Sequence, residues 1–204
     1  MKKFAKTLVA LSIVLLIGVV SGVGSFIGDK LVLYVKIARL YTADPPSKIF
    51  MPIVGVTKKQ IANTWQAPRG SNRRHEGQDI FARLGTPIYS ATRGYVYKIG
   101  ENNLGGQTVS VIGAGGRVYY YAHLDSYAEG LAEGDYVSPE TKLGSVGTTG
   151  NAQGTPPHLH FGIYTGSGAI NPLPYLTDRS TTAQTSKQTA VGSKQLALTA
   201  RLVR

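Results

Sequence analysis

The sequence predicts an all-β domain of antiparallel sheets behind an N-terminal membrane or signal helix. Three observations support this. Residues 61–176 hold short runs rich in Val, Ile and Tyr, punctuated by glycines such as Gly105, Gly106, Gly113, Gly115, Gly116, Gly147 and Gly150, the pattern of strands joined by tight turns. The same stretch holds no amphipathic helical pattern of useful length, which argues against alternating strand–helix units. The chain starts with basic residues followed by a long uncharged apolar run.

That run sets the first boundary. Lys2, Lys3 and Lys6 precede the apolar stretch Leu8–Val20, and no charge appears between Thr7 and Gly28. A basic start followed by an apolar stretch is an export signal. The stretch is about long enough to span a bilayer, which takes roughly 20 residues. Ser21, Gly22, Gly24 and Ser25 are small enough for a cleavage site, but no A-x-A pattern is present. Residues 1–30 are therefore read as a signal anchor, with a cleaved signal peptide as the alternative. Residues 31–60 read as a connector. Leu31–Leu40 either extends the membrane helix or lies along the interface, and Ala43-Asp44-Pro45-Pro46-Ser47 ends any helix. Strands are expected at Pro87–Ser90, Gly94–Ile99, Gln107–Ile112, Arg117–His123 and Leu159–Tyr164. Residues 177–204, rich in Ser, Thr, Gln and Lys, read as a disordered basic tail.

Composition narrows the function. The 204 residues include no Cys, which excludes disulfides, thiolate ligands, a Cys nucleophile and a lipidated Cys. The net charge is +11, which would suit nucleic acid if it lay on the folded part. It does not. Residues 1–60 carry nine Lys/Arg against two Asp/Glu, residues 61–176 carry eight of each, and residues 177–204 carry five against one. A neutral middle with basic flanks disfavours a nucleic-acid module and fits work near an anionic membrane or wall.

All four histidines, His75, His123, His158 and His160, lie in the neutral segment. In His158-Leu159-His160 the two imidazoles sit about 6.6 Å apart on one face of a strand, and Leu159 and Phe161 take the other. His75 and Asp79 would be roughly 13 Å apart on a straight strand, but Gly77 allows a bend that brings them together. Two histidines and one carboxylate make the donor set of a catalytic zinc site with an open position. Four unrelated surface or core histidines are the bland alternative.

Three motifs, RRHEGQDI (73–80), YAHL (121–124) and HLHFGIY (158–164), resemble the M23 peptidases, the lysostaphin-type zinc endopeptidases of bacterial cell walls. The runs GTPIYSATRGYV (85–96) and GSVGTTGNAQGTPPHLHF (144–161) match too, so the resemblance covers about residues 61–176. It implies antiparallel sheets forming a substrate groove and one zinc ion per chain. By motif position the zinc ligands fall on His75, Asp79 and His160. His123 and His158 fall beside the metal, where they orient or deprotonate the attacking water and stabilise the oxyanion. Strand parity places Tyr119, Tyr121 and His123 on one face, so Tyr121 is expected beside His123 as a substrate contact. One departure is a turn, Val137-Ser138-Pro139-Glu140-Thr141, remote in sequence from the ligands.

Glu76 reads as a solvated side chain, with a general base as the alternative, and Asp125, Glu129, Glu133 and Asp135 as a solvated loop face, with the steering or repulsion of charged peptidoglycan stems as the alternative. Arg73 and Arg74 either contact a carboxylate of the stem peptide or are plain surface charges. The resulting expectation is an exported zinc endopeptidase that cuts peptidoglycan cross-links or bridges. Its partners are stem or bridge peptides, and the N-terminal segment holds it to the membrane outside the cytoplasm. The alternative is a non-catalytic regulator of a wall amidase, which the complete set of motif residues disfavours. Nothing in the sequence indicates an oligomeric state.

Overall fold

The computed structural model describes residues 31–70 and 72–179. The expected signal or anchor, residues 1–30, and most of the expected tail lie outside the described residues. Residues 31–42 are helical, and the Asp44-Pro45-Pro46 sequence ends that helix, since proline cannot continue the hydrogen-bond ladder. Among the described residues no helix is long and apolar enough to cross a membrane.

The remaining described residues form strands joined by loops and three short 3₁₀ turns. In chain order they are β1 (Ile49–Phe50), β2 (Pro68–Arg69), β3 (Arg73–Arg74), β4 (Gln78–Phe81), β5 (Pro87–Tyr89), β6 (Gly94–Asn102) and β7 (Gly106–Gly113). There follow β8 (Val118–Tyr127), β9 (Tyr136–Val137), β10 (Lys142–Val146), β11 (His158–Thr165), β12 (Gly168–Ile170) and β13 (Leu176–Thr177). The five expected strands are all present as β5, β6, β7, β8 and β11. The main sheet runs β12-β11-β8-β7-β6-β9, with β4 on β11, β10 on β8, and β5 on β10. Every pairing within it is antiparallel.

Period-two alternation drives one face of the sheet into the core. Val109 and Val111 of β7, Tyr119 and Tyr121 of β8, and Leu159, Phe161 and Ile163 of β11 are fully buried together. Their neighbours on the other face of β8 and β11 supply the groove. In β8 the alternation breaks. Gln107 pairs with Leu124 and Val109 with Tyr121, so three steps on β8 match two on β7. This is a β-bulge, and its extra residue is taken up at Ala122-His123, where His123 has φ +64°.

The connector reading of residues 31–60 is corrected at its C-terminal end. Ile49, Met51 and Ile53 are core residues, and β1 pairs in parallel with β13. The domain also extends past residue 176. Arg179 donates from Nε to Met51 O (2.5 Å), from Nη1 to Pro139 O (2.6 Å) and from Nη2 to Ser90 O (2.8 Å). Its guanidinium also lies over the Phe50 and Tyr89 rings.

Candidate functional site

The first part of the site is the bend between β3 and β4. Gly77 lies so close to β11 that an added Cβ would fall 2.6 Å from His160 Cε1 and 2.9 Å from the Phe161 carbonyl. Only glycine fits that approach. It lets the chain turn so that His75 Nε2 comes 3.0 Å from Asp79 Oδ1. β4 then pairs with β11, His160 opposite Asp79. His160 Nδ1 lies 2.8 Å from His75 Nε2 and 3.3 Å from Asp79 Oδ1.

Three lone-pair atoms thus face one point, and all three residues are at least largely buried. A four-coordinate zinc ion at about 2.0–2.2 Å from each donor holds its ligands a little over 3 Å apart, so the residues present fit the metal. The supports also fit. His75 donates Nδ1–H to Thr64 O at 2.7 Å, which leaves Nε2 as the lone-pair nitrogen. Thr64 Oγ1 accepts from the Asp79 backbone N–H at 2.9 Å. Arg69 pairs with Asp79 Oδ2 and leaves Oδ1 turned to the centre. Burial opposes ionisation of Asp79, but the neighbouring His160 and His75 rings outweigh it and hold the carboxyl well below the usual range. Burial pushes His160 down, against the pull of Asp79.

The remaining two histidines stand beside this triad. The His123 and His158 ring centroids are 5.0 Å apart, and His158 Nε2 is 3.9 Å from Asp79 Oδ1. His158 donates Nδ1–H to Pro156 O at 2.9 Å, and His123 donates Nδ1–H to Thr149 O at 2.8 Å. A carbonyl only accepts, so both rings carry their proton on Nδ1, and Nε2 is free to accept another. Burial pushes His123 down to about 4, opposed by the Thr149 carbonyl and reinforced by His158 and His160. The imidazole is therefore neutral at neutral pH.

Thr149 reaches His123 because two loops meet backbone to backbone. Gly106 and Gly150 have φ +61° and +68°, and a Cβ on either would lie 2.2–2.3 Å from the other's amide nitrogen. Thr149 Oγ1 also accepts from Gln107 N (2.9 Å) and donates to Leu124 O (2.8 Å), which clamps both strands at the bulge.

The expected role of Tyr121 is corrected. Its ring is completely buried and its hydroxyl accepts from the Ala91 backbone N–H at 2.8 Å. The bulge after Tyr121 shifts the alternation, so His123 faces the groove while Tyr121 faces the core. Tyr120 takes the place near the site, edge-on to His160 with centroids 6.1 Å apart. Phe81 is exposed and packs on the His158 ring at 5.2 Å. Thr64, Arg69, Tyr120 and Thr149 were not among the expected site residues. All five expected histidine and aspartate residues line or complete one cavity of about 900 Å³.

Residues 73–172 match the model of peptidase family M23. The catalytic domain of lysostaphin from Staphylococcus simulans is 30% identical, with a TM-score of 0.51, over 58% of this chain and 93% of that one. The chain belongs to peptidase family M23. An L-Ala–D-Glu endopeptidase of Bacillus subtilis is 34% identical over 154 residues, 70% of this chain and 47% of that protein. Lysostaphin of Staphylococcus staphylolyticus is 34% identical over 108 residues, 50% of this chain and 22% of that protein. This member of the family thus spans about half, or less, of the length of these two relatives.

Proposed function

We propose that the chain is a zinc-dependent endopeptidase that hydrolyses peptide bonds of bacterial peptidoglycan outside the cytoplasm. The observation that carries this reading is the convergence of His75 Nε2, Asp79 Oδ1 and His160 Nδ1 beside two further imidazoles in one open groove. The name of the Bacillus subtilis relative, an L-Ala–D-Glu endopeptidase, supports the substrate class. The uncharged apolar run after Lys2, Lys3 and Lys6 supports export and membrane attachment.

His75, Asp79 and His160 would hold the ion. When bound, zinc acts as a Lewis acid and lowers the pKa of water at its open position to near neutrality. His123 and His158 then hold and move protons at Nε2. One accepts the proton released as water adds to the scissile carbonyl. The imidazolium so formed, beside the Asp79 carboxylate, returns a proton to the leaving amine nitrogen. Pro156 O and Thr149 O fix both rings against rotation, so neither nitrogen reorganises during the step. The intact donor set argues against the regulator alternative, which has no need of a metal.

The test is to incubate the zinc-loaded full chain with intact sacculi and identify the released fragments by mass spectrometry. Release of peptide fragments that stops on chelation and returns with zinc is expected. No release under any metal condition would refute the enzymatic reading.

A further inference from the structure

The zero net charge of residues 61–176 hides a segregation. The groove wall formed by β2 and β3 carries Arg69, Arg73 and Arg74. Arg69 is occupied by Asp79. Arg73 and Arg74 are both exposed, and among the described residues neither has an ion-pair partner. Arg74 makes one long bond, Nη1 to Gln66 O at 3.4 Å. The one other acidic residue lining the groove, Glu76, forms no ion pair with either arginine among the described residues. The acids that balance the domain's charge, such as Asp125, Glu129, Glu133 and Asp135, do not line the groove. A metal ion at the triad adds further positive charge to the same cavity.

We propose that Arg73 and Arg74 make the enzyme selective for carboxylate-bearing stem peptides over neutral bridges. A guanidinium presents paired N–H donors that match a carboxylate's two oxygens. A glycine bridge has no side-chain carboxylate to offer, so this wall gives it nothing but desolvation. The proposal rests on the peptidase reading above and specifies its substrate class.

The experiment compares kcat/KM of the zinc-loaded full chain on three soluble peptides. One is a stem peptide with free carboxylates, one is the same peptide with those groups as carboxamides, and one is pentaglycine blocked as its N-acetyl amide. The expected result is a preference for the carboxylate peptide of about tenfold or more, the scale of a charge-assisted hydrogen bond. The preference shrinks as salt rises, because these arginines are exposed. In Arg73→Gln/Arg74→Gln the ratio of the two stem peptides falls toward one. Equal turnover of the carboxylate and carboxamide peptides, or faster cutting of pentaglycine, overturns the selectivity and leaves the peptidase reading standing. A double variant that slows both stem peptides by the same factor overturns it too, since it shows a structural effect. Cutting of none of the peptides or of sacculi would instead defeat the peptidase reading itself.

Discussion

Each of the five site residues meets a different constraint, and substitution should separate them. His160→Ala removes one of three donors, so zinc content is expected to collapse, and activity with it. His123→Ala and His158→Ala leave the triad intact. They should retain about one zinc per chain while losing roughly 10²–10⁴ in rate. Elemental analysis alongside turnover checks both, and zinc loss from His123→Ala equal to that from His160→Ala would overturn the division of roles. His123 also carries a pH signature. Its folded-state pKa of about 4 lies below the ordinary 6.5, so the unfolded chain binds more protons between those values. The metal-free protein should therefore lose stability as pH falls from about 6.5 toward 4. His123→Ala should lose less over that interval, as read from urea midpoints at pH 7 and pH 4.5.

At the scale of elements, the positions that the sequence made readable are those where local geometry acts alone. His158 and His160 share a strand face by period two, and Gly77 marks the bend that joins His75 to Asp79. Tyr121 was misplaced because a single extra residue in β8 reverses the parity that the alternation implies, and no residue type in Tyr121-Ala122-His123 marks the bulge. Thr64 and Thr149 are not legible in the sequence for another reason. Each positions a histidine through its backbone carbonyl, and a carbonyl has no side-chain signature. Two variants test this account of β8. Tyr121→Phe should leave the buried Ala91 N–H without an acceptor, costing about 1–3 kcal/mol of stability with KM unchanged. Thr149→Val keeps the carbonyl on His123 but removes the hydroxyl that ties Gln107 to Leu124. It should cost about 1–2 kcal/mol and lower kcat without lowering zinc content, because the bulge that aims His123 is no longer held from both sides.

At the scale of the whole molecule, the charge pattern and the motif boundaries suggest a neutral domain at residues 61–176, but the packing does not end there. Ile49, Met51 and Ile53 are at most 2% exposed. Each represents about 1.5–3 kcal/mol of buried apolar surface, against a total stability of about 5–15 kcal/mol for an ordinary domain. The sequence does not mark these residues as core, because a short apolar run beside Pro52 shows neither helical nor strand period. Arg179 adds a second tie. Its guanidinium donates to carbonyls from three separate segments, at Met51, Ser90 and Pro139. It thereby joins the β1–β13 pair to the turns before β6 and β10. A chain of residues 61–176 is therefore expected to melt without a cooperative transition, while residues 43–179 should unfold in a single one. Arg179→Ala within the longer chain should lower stability by about 2–3 kcal/mol, since three carbonyls lose a charged donor and only partly regain water. Circular dichroism melts of the three proteins check this. A cooperative, fully active 61–176 fragment would show that the flanking strands add nothing to the catalytic fold.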